Sequence, residues 1–308
     1  MVTMRSLTLG ALLGMVVGWA VACAPQPASG GAAPSVATPA QTRTLYIGGI
    51  PDQAPATLAR SFDGFARLLS ERTGLPVKYQ PAQDYAAIVA AFRRGDVHLV
   101  WFGGLTGVQA REAVRGANAV AQRPIDAEFR SVFIVNAESK AEKLTDLKGL
   151  TFTFGSESST SGHLMPRYFM LEAGVDPEKD LRGKPNYSGA HDRTYKLVEA
   201  GSFQAGALNM AVWDAAVKNG QVDTSKVREF YRTPPYYDYN WTIHPDVDRI
   251  WGAGASEKLV QALLAIRPSD GPEAKEILDL FATDRFIPTQ NSNYEAIRKV
   301  AEQLGILR

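Results

Sequence analysis

Cysteine is nearly missing from this chain. Cys23 is the one thiol in 308 residues, so no internal disulfide can staple the fold. Net charge is just as scarce: 33 Lys and Arg stand against 32 Asp and Glu, and Arg5 is the one charged residue among the first 22, so the charges beyond residue 22 cancel. A chain without a basic surplus has no electrostatic hold on nucleic acid, and none is expected as a partner. Long apolar runs are also missing, apart from "LTLGALLGMVVGWAVA" at residues 7–22, which is too short for an ordinary membrane span. What remains is ordinary globular material, 45% hydrophobic and 21% charged, and long enough for two lobes that each bury a core.

Arg5 followed by that short apolar run has the form of an export signal, residues 1–22. Its end, Ala20-Val21-Ala22-Cys23, resembles a lipoprotein signal, in which the cysteine is lipidated and becomes the new N-terminus. Ala20 stands where such signals usually carry leucine. The plainer alternative is a secreted protein cleaved near Ala22, but a lone cysteine in an exported chain is better explained by anchoring than by structure. Residues 24–43, "APQPASGGAAPSVATPAQTR", hold four prolines and almost no bulky apolar side chain. They form a linker, residues 23–43 with the cysteine, that cannot bury enough to fold and would reach roughly 25 Å.

From Thr44 strands and helices alternate. "TLYIGGI", "LPVKYQPA" and "VHLVWFGG" read as strands, and between them lie "PATLARSFDGFARLLSERTG", with Leu58, Phe62, Phe65, Leu68 and Leu69 at helical spacing, and "DYAAIVAAFRRG", with Asp84 as N-cap. Short joints between such elements predict a mostly parallel sheet with helices on its faces. Ligands bind beyond the carboxyl ends of strands in such sheets, which puts "GGIPDQ" and "WFGGLT" on the rim of a crevice. A second α/β unit begins at "RSVFIVN", and "YYDYNWTIHPDV" returns the chain to the first. The expected lobes are 44–130 plus 238–308, and 131–237, a hinged clamp with two crossings.

Residues 155–162, "GSESSTSG", lie between the alternating run "LTFTF" and the helical "HLMPRYFMLEAG". A hydrolase elbow needs Gly-x-Ser-x-Gly, but Gly155-Ser156-Glu157-Ser158-Ser159 lacks the second glycine and His163 has no evident orienting acid. A nucleotide-binding P-loop needs a lysine that the stretch does not have. No metal-binding acidic motif accompanies it, so neither metal nor cofactor is expected. An anion cup needs only a helix N-terminus, the hydroxyls of Ser159, Thr160 and Ser161, and the bare backbone of Gly162. A helix merely capped by Ser159 or Thr160 is the competing explanation.

"DYAAIVAAFRRGDVHLVWFGGLT", "SVFIVN", "LKGLTFTFGSESSTSGHLMPRYFM" and "GAHDRTYKLVEAG" together resemble the phosphate/phosphite/phosphonate-type substrate-binding proteins of ABC transporters, from about residue 44 to 308. The C-terminal "DRFIPTQNSNYEAIRKVAEQLGI" is similar to a branch that carries the label of selenate binding. The resemblance implies an α/β, two-lobed type II periplasmic-binding-protein fold, export, work as a monomer and delivery of a small oxyanion to an ABC permease, with no catalysis and with the membrane touched through a lipid anchor alone. A ligand-sensing module for a membrane receptor and an enzyme on the same fold are the alternatives; the latter needs a nucleophilic cysteine or a cofactor. The site that the resemblance implies takes Ser159, Thr160, Ser161 and Gly162 from one lobe, Tyr85 from the other, and His191. Asp238 matches an acidic position that can face the ligand.

Two departures bear on specificity. Phe129 stands where phosphonate binders often have tyrosine, and Ala211 stands near the acid that meets an aminoalkyl ligand's ammonium group, so an inorganic or simple-alkyl anion is favoured. Trp101 and Trp213 read as core or hinge packing. Phosphate, phosphite and alkyl phosphonates keep a proton near neutral pH, whereas selenate and sulfate do not. If Asp238 or Asp214 lines the pocket, a ligand able to donate a proton is selected; if both point away, selenate stays possible. For the anchor, Cys23→Ser should abolish incorporation of labelled fatty acid and move the protein from the membrane to the soluble fraction; unchanged labelling would end the lipoprotein reading.

Overall fold

The computed structural model describes residues 43–307, so the signal, Cys23 and the linker up to residue 42 lie outside the described residues. Two sheets organise the body. In chain order the elements are β1 (Leu45–Gly49), α1 (Pro55–Thr73), β2 (Val77–Tyr79), α2 (Tyr85–Arg94), β3 (Leu99–Phe102), α3 (Gly104–Ala113) and β4 (Asn118–Gln122), followed by the first crossing. Beyond it come β5 (Ser131–Asn136), β6 (Phe152–Phe154), α4 (Met165–Glu172), β7 (Asn186–Tyr187), α5 (His191–Glu199), β8 (Ala205–Asn209), α6 (Met210–Lys218) and β9 (Val227–Arg232). After the second crossing the chain adds β10 (Asn240–Ile243), α7 (Asp246–Trp251), α8 (Ala255–Leu264), α9 (Pro272–Leu280), β11 (Ile287–Pro288) and α10 (Glu295–Gln303). No helix among the described residues is long and apolar enough to cross a membrane.

The sequence signals act locally as expected. Asp84 accepts a hydrogen bond from the Ala87 amide at 2.7 Å and starts α2. Gly74, at φ 68°, ends α1 in the left-handed conformation that glycine adopts without steric cost.

The mostly parallel sheet needs correction. The first sheet runs β11-β4-β10-β3-β1-β2, and only β1 with β2 and β3 is parallel. Strand β10 enters from the other lobe between β3 and β4 and pairs antiparallel with both. The second sheet, β7-β6-β8-β5-β9, is mixed for the same reason: β5 arrives over a crossing and runs antiparallel to β8 and β9. Repeated strand–helix–strand units produce parallel neighbours, but a strand delivered by a crossing enters from the hinge side and has its direction set there.

Strand β5 is fully buried on both faces because each face has its own core. Val132 and Ile134 join the main core, which runs under the first sheet and through the crossings, while Phe133 and Val135 join a second core with Phe152, Phe154 and Met170. The crossings lie side by side, tied by Phe129 N–H to Tyr236 O and Tyr236 N–H to Phe129 O, both 2.9 Å, and by Asp238 N–H to Asp126 O at 3.0 Å.

One buried ion pair fixes the first crossing. Arg123 donates through Nε to Asp126 Oδ2 at 2.9 Å and through Nη2 to Oδ1 at 2.7 Å, and its Nη1 donates to the Phe281 carbonyl at 2.9 Å. The guanidinium lies over the rings of Trp101, Tyr239 and Phe129 at 5.3, 5.0 and 5.7 Å. Asp126→Leu should therefore strand a buried cation and lower the unfolding free energy by about 3–5 kcal/mol in urea titrations, whereas the double variant Arg123→Met/Asp126→Leu should recover most of the loss.

Candidate oxyanion site

Between the sheets the chain brings together backbone and side-chain groups from both lobes and from the second crossing. In the second lobe, β6 ends at Phe154, residues 156–159 make a turn closed by Ser159 N–H to Ser156 O at 3.0 Å, and Thr160–Leu164 form one wide π-helical turn before α4. Leu164 N–H donates to Ser159 O and Met165 N–H to Thr160 O, each spanning five residues. Pro166 explains part of this. It has no N–H to give the Gly162 carbonyl four residues back, and that carbonyl instead accepts from Gly155 N–H at 2.8 Å.

The hydroxyls divide their work. Ser159 Oγ accepts from the Gly162 amide at 3.0 Å, so it caps the turn as the competing explanation required. Thr160 Oγ1 crosses to the other lobe and accepts from the Leu105 amide in the first turn of α3 at 2.9 Å. Thr160 and Ser161 are also the two hydroxyl residues that stand against Asp238. All three are at most 2% exposed.

Asp238 comes from the second crossing. Its Oδ1 accepts from the Gly104 amide at 2.8 Å, but its Oδ2 is buried without a hydrogen-bond partner among the described residues. Gly103 makes this approach possible: a Cβ there would lie 3.2 Å from Thr160 Oγ1 and 3.4 Å from Asp238 Oδ1. Tyr85, the first residue of α2, brings a second unpartnered buried atom, its phenolic oxygen, beside Ser159. The third such atom, Trp241 Nε1, lies elsewhere, among the Phe62, Phe65 and Phe281 rings. Buried polar atoms rarely stay unpaired, and two of these three, Tyr85 Oη and Asp238 Oδ2, lie near enough for the Asp238 charge to act on the Tyr85 phenol.

His191 opens α5 and its amide donates to the Asp52 carbonyl of the first lobe at 3.0 Å. Its Nδ1 accepts from the Asn209 amide at 3.4 Å, which leaves the proton on Nε2, 3.4 Å from Tyr239 Oη. Tyr239 in turn donates to Asp52 Oδ2 and accepts from Asn209 Nδ2, both at 2.8 Å. Gly162 proves to be crowded from within its own lobe, since a Cβ there would lie 2.9 Å from Ser159 Oγ, 3.0 Å from His191 Cε1 and 3.1 Å from Gly155 Cα. Its amide is already used, so its part in the cup is to let His191 pack against the turn.

Burial sets the protonation states. Removal from water pushes the Asp238 carboxyl up to about 7 against the opposing Gly104 N–H, and pushes Asp52 up to about 6 against the Tyr239 hydroxyl. The same desolvation lowers His191 to about 3, so the imidazole is neutral, and holds the Tyr85 phenol well above its ordinary value. Around neutral pH the cup thus presents neutral donors and one carboxyl that is poised to hold or accept a proton.

Other sequence expectations fall outside the cup. Asp214 is a surface group, paired through both oxygens with Arg232 at 2.7 and 3.0 Å. Trp101 and Trp213 are packing residues, the first stacked on Tyr239 at 5.4 Å. Phe129 is fully buried in the crossing, where the Tyr236 hydroxyl reaches Ser131 Oγ at 2.6 Å. Sequence reasoning missed Asp52, Tyr239 and the first turn of α3 as individual residues, although the rim segments "GGIPDQ" and "WFGGLT" contain Asp52 and the start of α3. A crevice of about 380 Å³ is lined by Asp52, Tyr239, Asn209 and Ala211 among others. No group of three His, Cys, Asp or Glu among the described residues gathers to hold a metal.

Comparison with known proteins gives one consistent picture. Residues 47–294 match the family described as "ABC transporter, phosphonate, periplasmic substrate-binding protein". The chain is 41% identical over 272 residues to "Probable ABC transporter phosphite binding protein PhnD1" of Prochlorococcus marinus (strain MIT 9301), covering 86% of this chain and 91% of that one. The structure of PhnD1 from that organism in complex with methylphosphonate superposes with a TM-score of 0.82 at 42% identity, over 85% of this chain and 98% of that one. The "Phosphate-import protein PhnD" of Mycolicibacterium smegmatis is 25% identical, over 85% of this chain and 86% of that one.

The raised Asp238 has a measurable consequence. Its folded-state value of about 7 lies above the unfolded value of about 4, so its contribution to stability is complete below about pH 4 and is lost as pH rises through about 7. Asp238→Asn should flatten the fall in thermal stability of the unliganded protein between about pH 5 and 8, leaving the part owed to Asp52. An unchanged pH profile would mean that Asp238 is not desolvated.

Proposed function

We propose a function for this cup on the premise that the chain belongs to the family of periplasmic, phosphonate-type substrate-binding proteins of ABC transporters. Members of this family are exported transport binding proteins rather than enzymes, and the chain is the substrate-binding component of an ABC importer. In our reading it closes over one small tetrahedral oxyanion that still carries a proton, phosphite or methylphosphonate before sulfate or selenate. It acts as a monomer, since both halves of the cup come from one chain, stays at the membrane through lipidated Cys23, and passes the anion to its permease.

The observation that carries the ligand class is Asp238 Oδ2, a buried carboxyl oxygen with no hydrogen-bond partner among the described residues, beside Thr160 and Ser161. An ionised Asp238 would set charge against charge with a fully ionised tetrahedral anion, which therefore needs the carboxyl to be protonated first, whereas a hydroxyl on the ligand can donate to the ionised Oδ2. The remaining ligand oxygens meet donors: the Thr160 and Ser161 amides and hydroxyls, the Tyr85 phenol and His191 Nε2. Neutral donors can hold a desolvated anion when every oxygen is met.

Isothermal titration of the mature protein with phosphite, methylphosphonate, phosphate, selenate, selenite and sulfate tests the reading. Phosphite or methylphosphonate should bind tightest, and selenate and sulfate at least about tenfold more weakly; no binding by any of the six would sink it. Thr160→Val keeps the shape and removes the hydroxyl, and should weaken methylphosphonate binding by about 1–3 kcal/mol.

A further inference from the structure

The cup depends on three consecutive residues, Ser159 to Ser161, at the start of a π-helical turn, a rare form met mostly as single turns at functional sites. What braces that turn from outside the cup bears on its geometry. His163, buried at 5% exposure, sits two residues beyond Ser161 and touches none of the cup's polar groups. Its Nδ1 lies 2.7 Å from the carbonyl oxygen of Glu157, and its Nε2 accepts from Arg167 Nε at 2.9 Å. A ring nitrogen facing a carbonyl must carry the proton, and one facing an arginine N–H must be bare, so a single neutral tautomer satisfies both. Burial supports this by lowering the imidazole to about 4.

The two bonds tie the far end of the π-helical turn to the loop that precedes it and to the first turn of α4. The anchor continues outward: Arg167 donates through Nη2 to Glu178 at 2.7 Å and to Tyr187 Oη at 3.1 Å, and the His163 ring meets the Phe154 and Tyr187 rings edge-on at 5.0 Å each. Glu157 to His163 is the span that contains all three cup residues. Without the Nδ1–H bond, the loop at 156–158 is held by the weak 3.4 Å contact from Ser158 N–H to Ser156 Oγ and the closing bond at Ser159.

We propose that His163 is a positioning residue for oxyanion binding, bridging Glu157 and Arg167 so that the Thr160 and Ser161 donors keep their register with Asp238 and the opposite lobe. This rests on the oxyanion reading above. The test is titration of methylphosphonate into three forms of the protein, with thermal unfolding measured in parallel. His163→Phe keeps a ring between Phe154 and Tyr187 but neither hydrogen bond, and should lose at least tenfold in affinity. His163→Gln can donate to the Glu157 carbonyl and accept from Arg167, and should return to within about threefold of wild type even if both variants unfold at the same lowered temperature. Wild-type affinity in His163→Phe, or equal losses in Phe and Gln variants, would overturn the proposal. If His163→Phe does not fold, Arg167→Met takes its place: a fivefold or greater loss supports the bridge and an unchanged affinity overturns it. If the wild-type protein binds phosphite but no methylphosphonate, the same comparison is made with phosphite; a wild-type protein that binds none of the six anions would instead remove the oxyanion reading itself, and the positioning role with it.

Discussion

A carboxyl group taken wholly out of water governs the architecture of this protein. Asp238 is fully buried at the hinge, and a buried carboxylate is tolerated only when donors replace its hydration. One oxygen takes the Gly104 amide at the start of α3; the other is left to the cup. A carboxyl, a helix start and the Thr160 turn come into contact where Gly103 leaves little room for a side chain, the crossings run side by side and the lobes meet. The hinge ion pair of Arg123 and Asp126 serves the same end, since the Asp126 carbonyl accepts the Asp238 amide and so places the residue that the cup needs.

Desolvation then does opposite things to neighbouring groups and gives the cup its chemistry. It raises the carboxyls of Asp238 and Asp52, to about 7 and about 6, and keeps His191 and the Tyr85 phenol neutral, so near neutral pH Asp52 stays mostly ionised while Asp238 divides between its charged and protonated forms. In the proposed reading such a site selects by proton count: a tetrahedral anion that offers one hydroxyl completes the pattern, and one that offers none is matched only once the carboxyl has taken up a proton.

Support for the cup is layered outward around two parts of the second lobe. Tyr239, Asn209 and Asp52 orient His191 on one side, and His163, Arg167 and Glu178 brace the Thr160 turn on the other. None of the bracing residues carries a signature in sequence, because bracing depends on distances between segments that the chain order does not reveal.

Much of the plan was legible in one dimension. Helical spacing in α1, the Asp84 cap, the terminating Gly74 and the strand-like runs act over a few residues, so they read directly, as did the resemblance carried by "GSESSTSG" and "GAHDR". The parallel-sheet expectation failed at β5 and β10, whose directions are imposed by crossings rather than by their own residues. Gly162, expected to approach the anion, is instead spent on packing against His191.

The sequence by itself determined the family, the alternation of elements and which residue types could meet an oxyanion, because these depend on local periodicity and on contiguous motifs. Only the tertiary structure decided which carboxylate joins them. Asp214 and Asp238 look alike in the chain, but one faces water beside Arg232 and the other is sealed between two lobes. Burial is a property of the assembled fold, and burial is what turns an ordinary aspartate into a group able to count protons.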